Sequence, residues 1–256
     1  MTSPGGAPLP VDLPRVVIAG PWNRSMDSTV HRRAAAHLAT QGVPVTYLAT
    51  SRPDPREPGD ELFDREAWPT TGCSTVGDLV WVLRRFRTLR PAVVHARLAS
   101  AVPSMVAAAL TRVPERVVGY TAPLDAAGGA AAAGDMPGDV PGEVAPWRVR
   151  VALRQATRHW ASSEEHAAAV RHCYGLGSRP VEVHGHTAPL VEPVPAGAWD
   201  PTLDQRAALL ASDLLACVHR GHGGPPAHRV GDGQTDPVVD QVADRVADRV
   251  ADQGGR

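Results

Sequence analysis

The chain has 256 residues, a formal net charge of -1 and 43% hydrophobic residues, enough apolar material for one large or two small cores. Near-neutral charge gives no basis for a nucleic-acid or anionic-membrane partner, and the absence of lysine excludes Schiff-base and P-loop lysine chemistry. Cys73, Cys173 and Cys217 are odd in number and far apart, which excludes a disulfide framework and a CxxC metal site and points to a reducing cytoplasm.

The leader 1–14 lacks the charged and apolar regions of a signal peptide and is expected to be disordered. No apolar run approaches the roughly 20 residues of a membrane span. Val16 to Ala19 form a short β-branched run ending at Gly20-Pro21, as expected of a strand buried on both faces of a parallel sheet. The next loop is polar. Asp27 or Ser28 is expected to cap a helix whose inner face carries Val30, Ala34 and Leu38, and Gly42 stops it. Pro44 to Leu48 reads as a second strand, so the unit is strand, crossover helix, parallel strand, with its first loop at the carboxyl edge of the sheet.

Residues 51–71 are proline-rich and acidic, a surface connection with a turn of helix near Leu62. A helix follows over 76–89, with Leu79, Leu83 and Phe86 inward and Pro91 after its end. Ala92 to His95 is the next strand, leaving His95, Ala96 and Arg97 at its carboxyl end. Ser100 is expected to cap an uncharged helix, 116–120 to form a strand, and 126–146 to be a long loop. A helix over 147–156, a strand over 159–162, a helix over 163–174 capped by Ser162 or Ser163, and a strand over 180–183 complete the series.

The order of these elements, with PAVVHARL, RVVGYTAP, RHWASSEEHAAAVRHCYGLG and VEVHGHTAPLVEP, resembles the N-terminal, acceptor-side domain of GT-B glycosyltransferases of the family 4 type. His95 and Arg97 stand where that family often has His-x-His, Ser162-Ser163-Glu164 resembles its strand-to-helix turn, and Gly185 and Pro193 fall at its exit motif. The resemblance implies an α/β fold, a Rossmann-like doubly wound parallel sheet over 15–193, followed by a linker and low-complexity tail over 194–256. It implies a sugar or glycoconjugate acceptor bound by His95, Arg97 and Thr121, with Asn23, Arg24 and Ser25 in reach of a phosphate.

Departures from the family pattern shape the expected mechanism. Pro21-Trp22-Asn23-Arg24-Ser25-Met26 replaces a glycine-rich first loop, and Pro123 stands where the family often has a histidine. Beyond Pro193 there is neither Lys nor Glu, so the family's nucleotide-sugar motif is not found there. A helix over 202–218 and a VADR repeat over 242–252 occupy that stretch, the repeat being either a docking helix or a disordered tail. No cofactor of the chain's own is expected. A nucleotide-sugar donor would be held by a partner chain or through self-association.

His95 and Arg97 can be read as acceptor ligands or as a strand-end polar pair. The histidines at 184, 186, 219, 222 and 228 lack structural-zinc spacing, so no metal is expected. Two functions stay open: the acceptor-side half of a glycosyltransferase, or a non-catalytic remnant or regulatory acceptor-binding module.

Overall fold

A computed structural model describes residues 14–23, 25–50, 59–70, 75–97, 100–120, 145–187 and 201–223. Seven parallel strands form one sheet: β1 (Val16–Gly20), β2 (Val45–Ala49), β3 (Asp64–Ala67), β4 (Val93–Arg97), β5 (Glu115–Gly119), β6 (Arg158–Ala161) and β7 (Val181–Val183). Their order is β3-β2-β1-β4-β5-β6-β7. The chain therefore builds outward from β1 in one direction, returns, and builds outward in the other, which is the doubly wound Rossmann-like arrangement. The helices are α1 (Met26–Thr40), α2 (Val76–Leu89), α3 (Ala101–Leu110), α4 (Trp147–Leu153), α5 (Glu164–Cys173) and α6 (Pro201–Gly223). Among the described residues no helix is long and apolar enough to cross a membrane.

Side chains alternate across each strand, and the two resulting faces hold separate cores. Val16, Ile18, Tyr47, Val93, Val117 and Trp160 pack against Val30, Ala34 and Leu38 of α1 and against Leu203, Ala207, Leu210, Leu214 and Val218 of α6. Val17, Ala19, Leu48, Val94, Ala96 and Val118 pack against α2, α3, α4 and α5 on the other side. The folded unit thus runs past residue 193. The helix expected over 202–218 is longer, and its apolar residues, recurring at helical spacing, join the core that strands of this sheet face form with α1.

Other differences from the sequence reading have local causes. The segment Asp64-Arg65-Glu66-Ala67 is a strand although it is fully polar but for its last residue; as an edge strand it needs only the backbone of β2 on one side. Ser25 caps α1, its hydroxyl accepting from the Ser28 amide at 3.2 Å, so neither expected residue is the cap. Ser100 caps nothing with its side chain. Its hydroxyl donates instead toward the carbonyls of Ala19, at 3.0 Å, and Arg97, pinning β1 to β4 where the winding direction reverses. Val82 and Phe86, with Asp78, form the innermost row of α2, and Leu79 and Leu83 flank them.

Candidate functional site

In an open parallel sheet, ligands bind outside the carboxyl ends of the strands at the point where strand order reverses, here between β1 and β4. Three elements converge there: the loop after β1, the start of α1, and the end of β4.

The loop after β1 is closed on itself. The Pro21 carbonyl accepts from the Ser28 hydroxyl at 2.9 Å and the Tyr47 hydroxyl at 2.8 Å. The Asn23 amide donates to Ser28 Oγ at 3.2 Å, and the Ser25 amide to Asn23 Oδ1 at 3.0 Å. Amides that would cradle a phosphate in a glycine-rich loop are thus spent on neighbouring side chains. Trp22 fills the space beneath, fully buried, with its ring edge-on to Tyr47 at 5.1 Å and the guanidinium carbons of Arg32 and Arg65 at 4.5 and 4.8 Å. Arg32 is in turn paired with buried Asp60, Nε to Oδ1 at 3.2 Å. Asn23 and Ser25, expected as phosphate contacts, serve here as the loop's own scaffold. Arg24 and Thr121 lie outside the described residues.

His95 and Arg97 stand two residues apart on β4 and face the same side, toward α1. His95 is fully buried, stacked on His31 of α1 with ring centroids at 5.1 Å and tilted against Trp160 at 5.5 Å. Its two ring nitrogens have no hydrogen-bond partner among the described residues. Burial, helped by the positive surroundings of His31 and Arg97, holds its pKa well below the usual histidine range, so the ring is neutral. Gly119 of β5 leaves the room these side chains need: a Cβ there would stand 3.0 Å from His95 Nε2 and 3.4 Å from the Arg97 stem. Arg97 is 2% exposed, and its Nη1 lies 3.4 Å from both ring nitrogens of His31. That equal spacing packs the guanidinium across the ring edge instead of aiming it at one nitrogen. His95 is therefore the floor of the site, and Arg97 with His31 its upper layer.

The same sheet face continues into a second polar group toward β7. His184, just past β7, lies with Nδ1 2.7 Å from Asp213 Oδ2 of α6 and Nε2 3.2 Å from Glu182 Oε2. Although burial works against it, these two carboxylates raise the His184 pKa to about 9. Glu182 also accepts from Arg158 at 2.6 Å and from the Trp160 indole at 3.2 Å; the His184 bond first, then Arg158, hold its pKa far below the ordinary carboxylate range. His186, in the short 3-10 turn Gly185–Thr187, brings its Nδ1 to 3.2 Å from the same Asp213 oxygen.

Sequence reasoning picked out His95 and Arg97 as the carboxyl end of a strand over 92–95; the strand runs over Val93–Arg97, so Arg97 ends it and His95 is its middle residue. That reasoning missed His31, which sits beside an apolar helical face that otherwise reads as ordinary core. It also missed Asp213, whose place beside His184 depends on how α6 docks. A groove of about 300 Å³ between the ends of α2 and α3 is lined by Phe86, Arg90, Arg112 and Val113 and lies at the opposite, amino edge of the sheet. It is not part of this site.

No family model matches the chain, and no curated protein sequence matches it. Among solved structures, the Bordetella bronchiseptica enzyme WbmH in complex with NAD+ is similar at 15% identity, with a TM-score of 0.32, over 43% of this chain and 40% of that one. The matched part therefore spans less than half of either protein.

Proposed function

We propose that this chain is glycosyltransferase-like, the acceptor-side half of a GT-B-type enzyme that transfers sugar from a nucleotide-sugar held by a second domain or partner chain. The observation that carries the reading is Arg97: a permanently charged, planar group at the carboxyl end of β4, beside the reversal of strand order, with His31 of α1 across it. The order of strands and helices supports it too, since it follows the pattern on which the resemblance rests. An acceptor carboxylate or phosphate would replace the 3.4 Å His31 contact with shorter, charge-assisted bonds to the guanidinium. The buried free thiols Cys173 and Cys217 suit a cytoplasmic setting.

The division of labour follows from the first loop. The Asn23 and Ser25 amides are bonded to Ser28 and Asn23 and so are not turned to a diphosphate, and the reading assigns the donor to the second domain or partner. The same closed loop favours a second reading, a non-catalytic acceptor-binding module. Reconstitution with candidate partners and UDP-, GDP- or ADP-sugars separates the two. The enzyme reading predicts transfer that drops at least tenfold in a folded Arg97→Ala chain. Unchanged transfer in that variant removes Arg97 from the mechanism, and acceptor binding without turnover in any combination leaves the module.

A further inference from the structure

His184, His186 and Asp213 come from three different pieces of chain: the end of β7, the 3-10 turn after it, and the middle of α6. One donor atom of each lies within 4.8 Å of the others. Asp213 Oδ2 is central, 2.7 Å from His184 Nδ1 and 3.2 Å from His186 Nδ1. In a four-coordinate site with metal bonds of about 2.0–2.1 Å, neighbouring donors stand roughly 3.3 Å apart, so side-chain adjustment alone would seat an ion among these three.

Two further features distinguish this cluster from a plain ion pair. The His186 side chain is 2% exposed, and neither of its ring nitrogens has a hydrogen-bond partner among the described residues. Nδ1 lies 3.2 Å from the Asp213 oxygen that His184 already engages, an arrangement that leaves the His186 ring unsatisfied and that a shared cation would complete. Behind His184, the Nε2 position faces Glu182, which is itself fixed by Arg158 and the Trp160 indole. A ligating imidazole backed by an anchored carboxylate is the usual support of a metal-bound histidine. The Trp160 ring, 4.6 Å from the His184 ring and 5.2 Å from that of His186, fixes the orientation of both.

We propose that His184 Nδ1, His186 Nδ1 and Asp213 Oδ2 bind one divalent first-row transition ion, with Glu182 orienting His184 and a solvent molecule completing the coordination. Two imidazoles and one carboxylate select zinc, cobalt or nickel over magnesium or calcium, which favour all-oxygen sets. The ion's charge would be balanced by Asp213 and Glu182. Asp213 is half-buried, which leaves the site a route from solvent. The ion would clasp α6 to the end of β7, on the same sheet face as Arg97, with Trp160 between the His95 and His184 rings.

The test uses the full chain stripped with a chelator and titrated with Zn2+ and Co2+. The expected result is one equivalent bound, a rise in the unfolding temperature with Zn2+, and a visible absorption band with Co2+. Folded His186→Leu should lose the band, and Glu182→Gln should bind 10–100-fold more weakly. Should His186→Leu fail to fold, Asp213→Asn makes the same comparison. No binding by the wild-type chain at millimolar ion would overturn the proposal and leave a proton-bridged histidine–carboxylate cluster. A band that persists unchanged in either ligand variant would overturn it as well, placing the ion on other histidines.

Discussion

Gly119 shows how closely the site is built. His95 is held between the His31 and Trp160 rings and cannot yield the few tenths of an ångström that a Cβ 3.0 Å from its Nε2 would require. Gly119→Ala should therefore destabilise the chain by about 1–2 kcal/mol in urea unfolding, and adding His95→Ala should cancel much of that cost as a non-additive pair. Buried neutral histidines also set the response to acid. His159 of β6 is 2% exposed, bonded to the Tyr120 hydroxyl at 3.0 Å, and faced by Arg179 and Glu182; burial first, then Arg179, lower its pKa to about 4, while Glu182 opposes them. Between pH 6.5 and 4 the unfolded chain binds a proton at this position that the native chain refuses. The His159 contribution is therefore full above pH 6.5 and falls as pH drops, by about 3 kcal/mol once pH is below 4. His95 acts in the same direction. His159→Gln, which keeps a partner for Tyr120, should flatten the acid limb of a stability–pH profile; an unchanged limb would show that His159 does not cause it.

Elements differ in how far their own residues announce them. The strands β1, β4 and β5 are central, so their short apolar runs are visible without knowing the fold. Nothing in Asp64-Arg65-Glu66-Ala67 has that signature, because an edge strand takes its conformation from its neighbour; Arg85 of α2, paired with Glu66, helps to hold it. The pairing of α6 with the sheet was hidden for a related reason. Its periodicity was readable, but the core it joins is defined by α1 and by strands distant in sequence. Leu210 and Leu214 are fully buried under it, and Leu210→Ala should cost about 2–5 kcal/mol in equilibrium unfolding. A chain ending at Pro193 should lose cooperative unfolding; a sharp transition in that shortened chain would contradict the place given to α6. The candidate site was half legible for the same physical reason: His95 and Arg97 follow the apolar start of β4 in sequence, whereas His31 and Asp213 join through helix docking.

At the scale of the whole molecule, the reversal of strand order concentrates chemistry at one edge of the sheet, and the Ser100 bonds to Ala19 and Arg97 fix that edge in place. In the proposed reading, the bonded first loop and the charged β4 terminus would divide the work between an acceptor site here and a donor site elsewhere. This division is tested most directly by thermal unfolding of the wild-type and Arg97→Ala chains against two ligand sets, uronic-acid or phosphate-bearing sugars and UDP-, GDP- and ADP-sugars. A ligand at 100 times its Kd adds about 2.7 kcal/mol, roughly 5–10 °C for a domain of this size. The account predicts such a shift with at least one anionic sugar, lost in Arg97→Ala, and none with the nucleotide-sugars beyond what their sugar acid groups explain. A shift with a nucleotide-sugar that survives Arg97→Ala would contradict it, since the donor site would then lie within this chain.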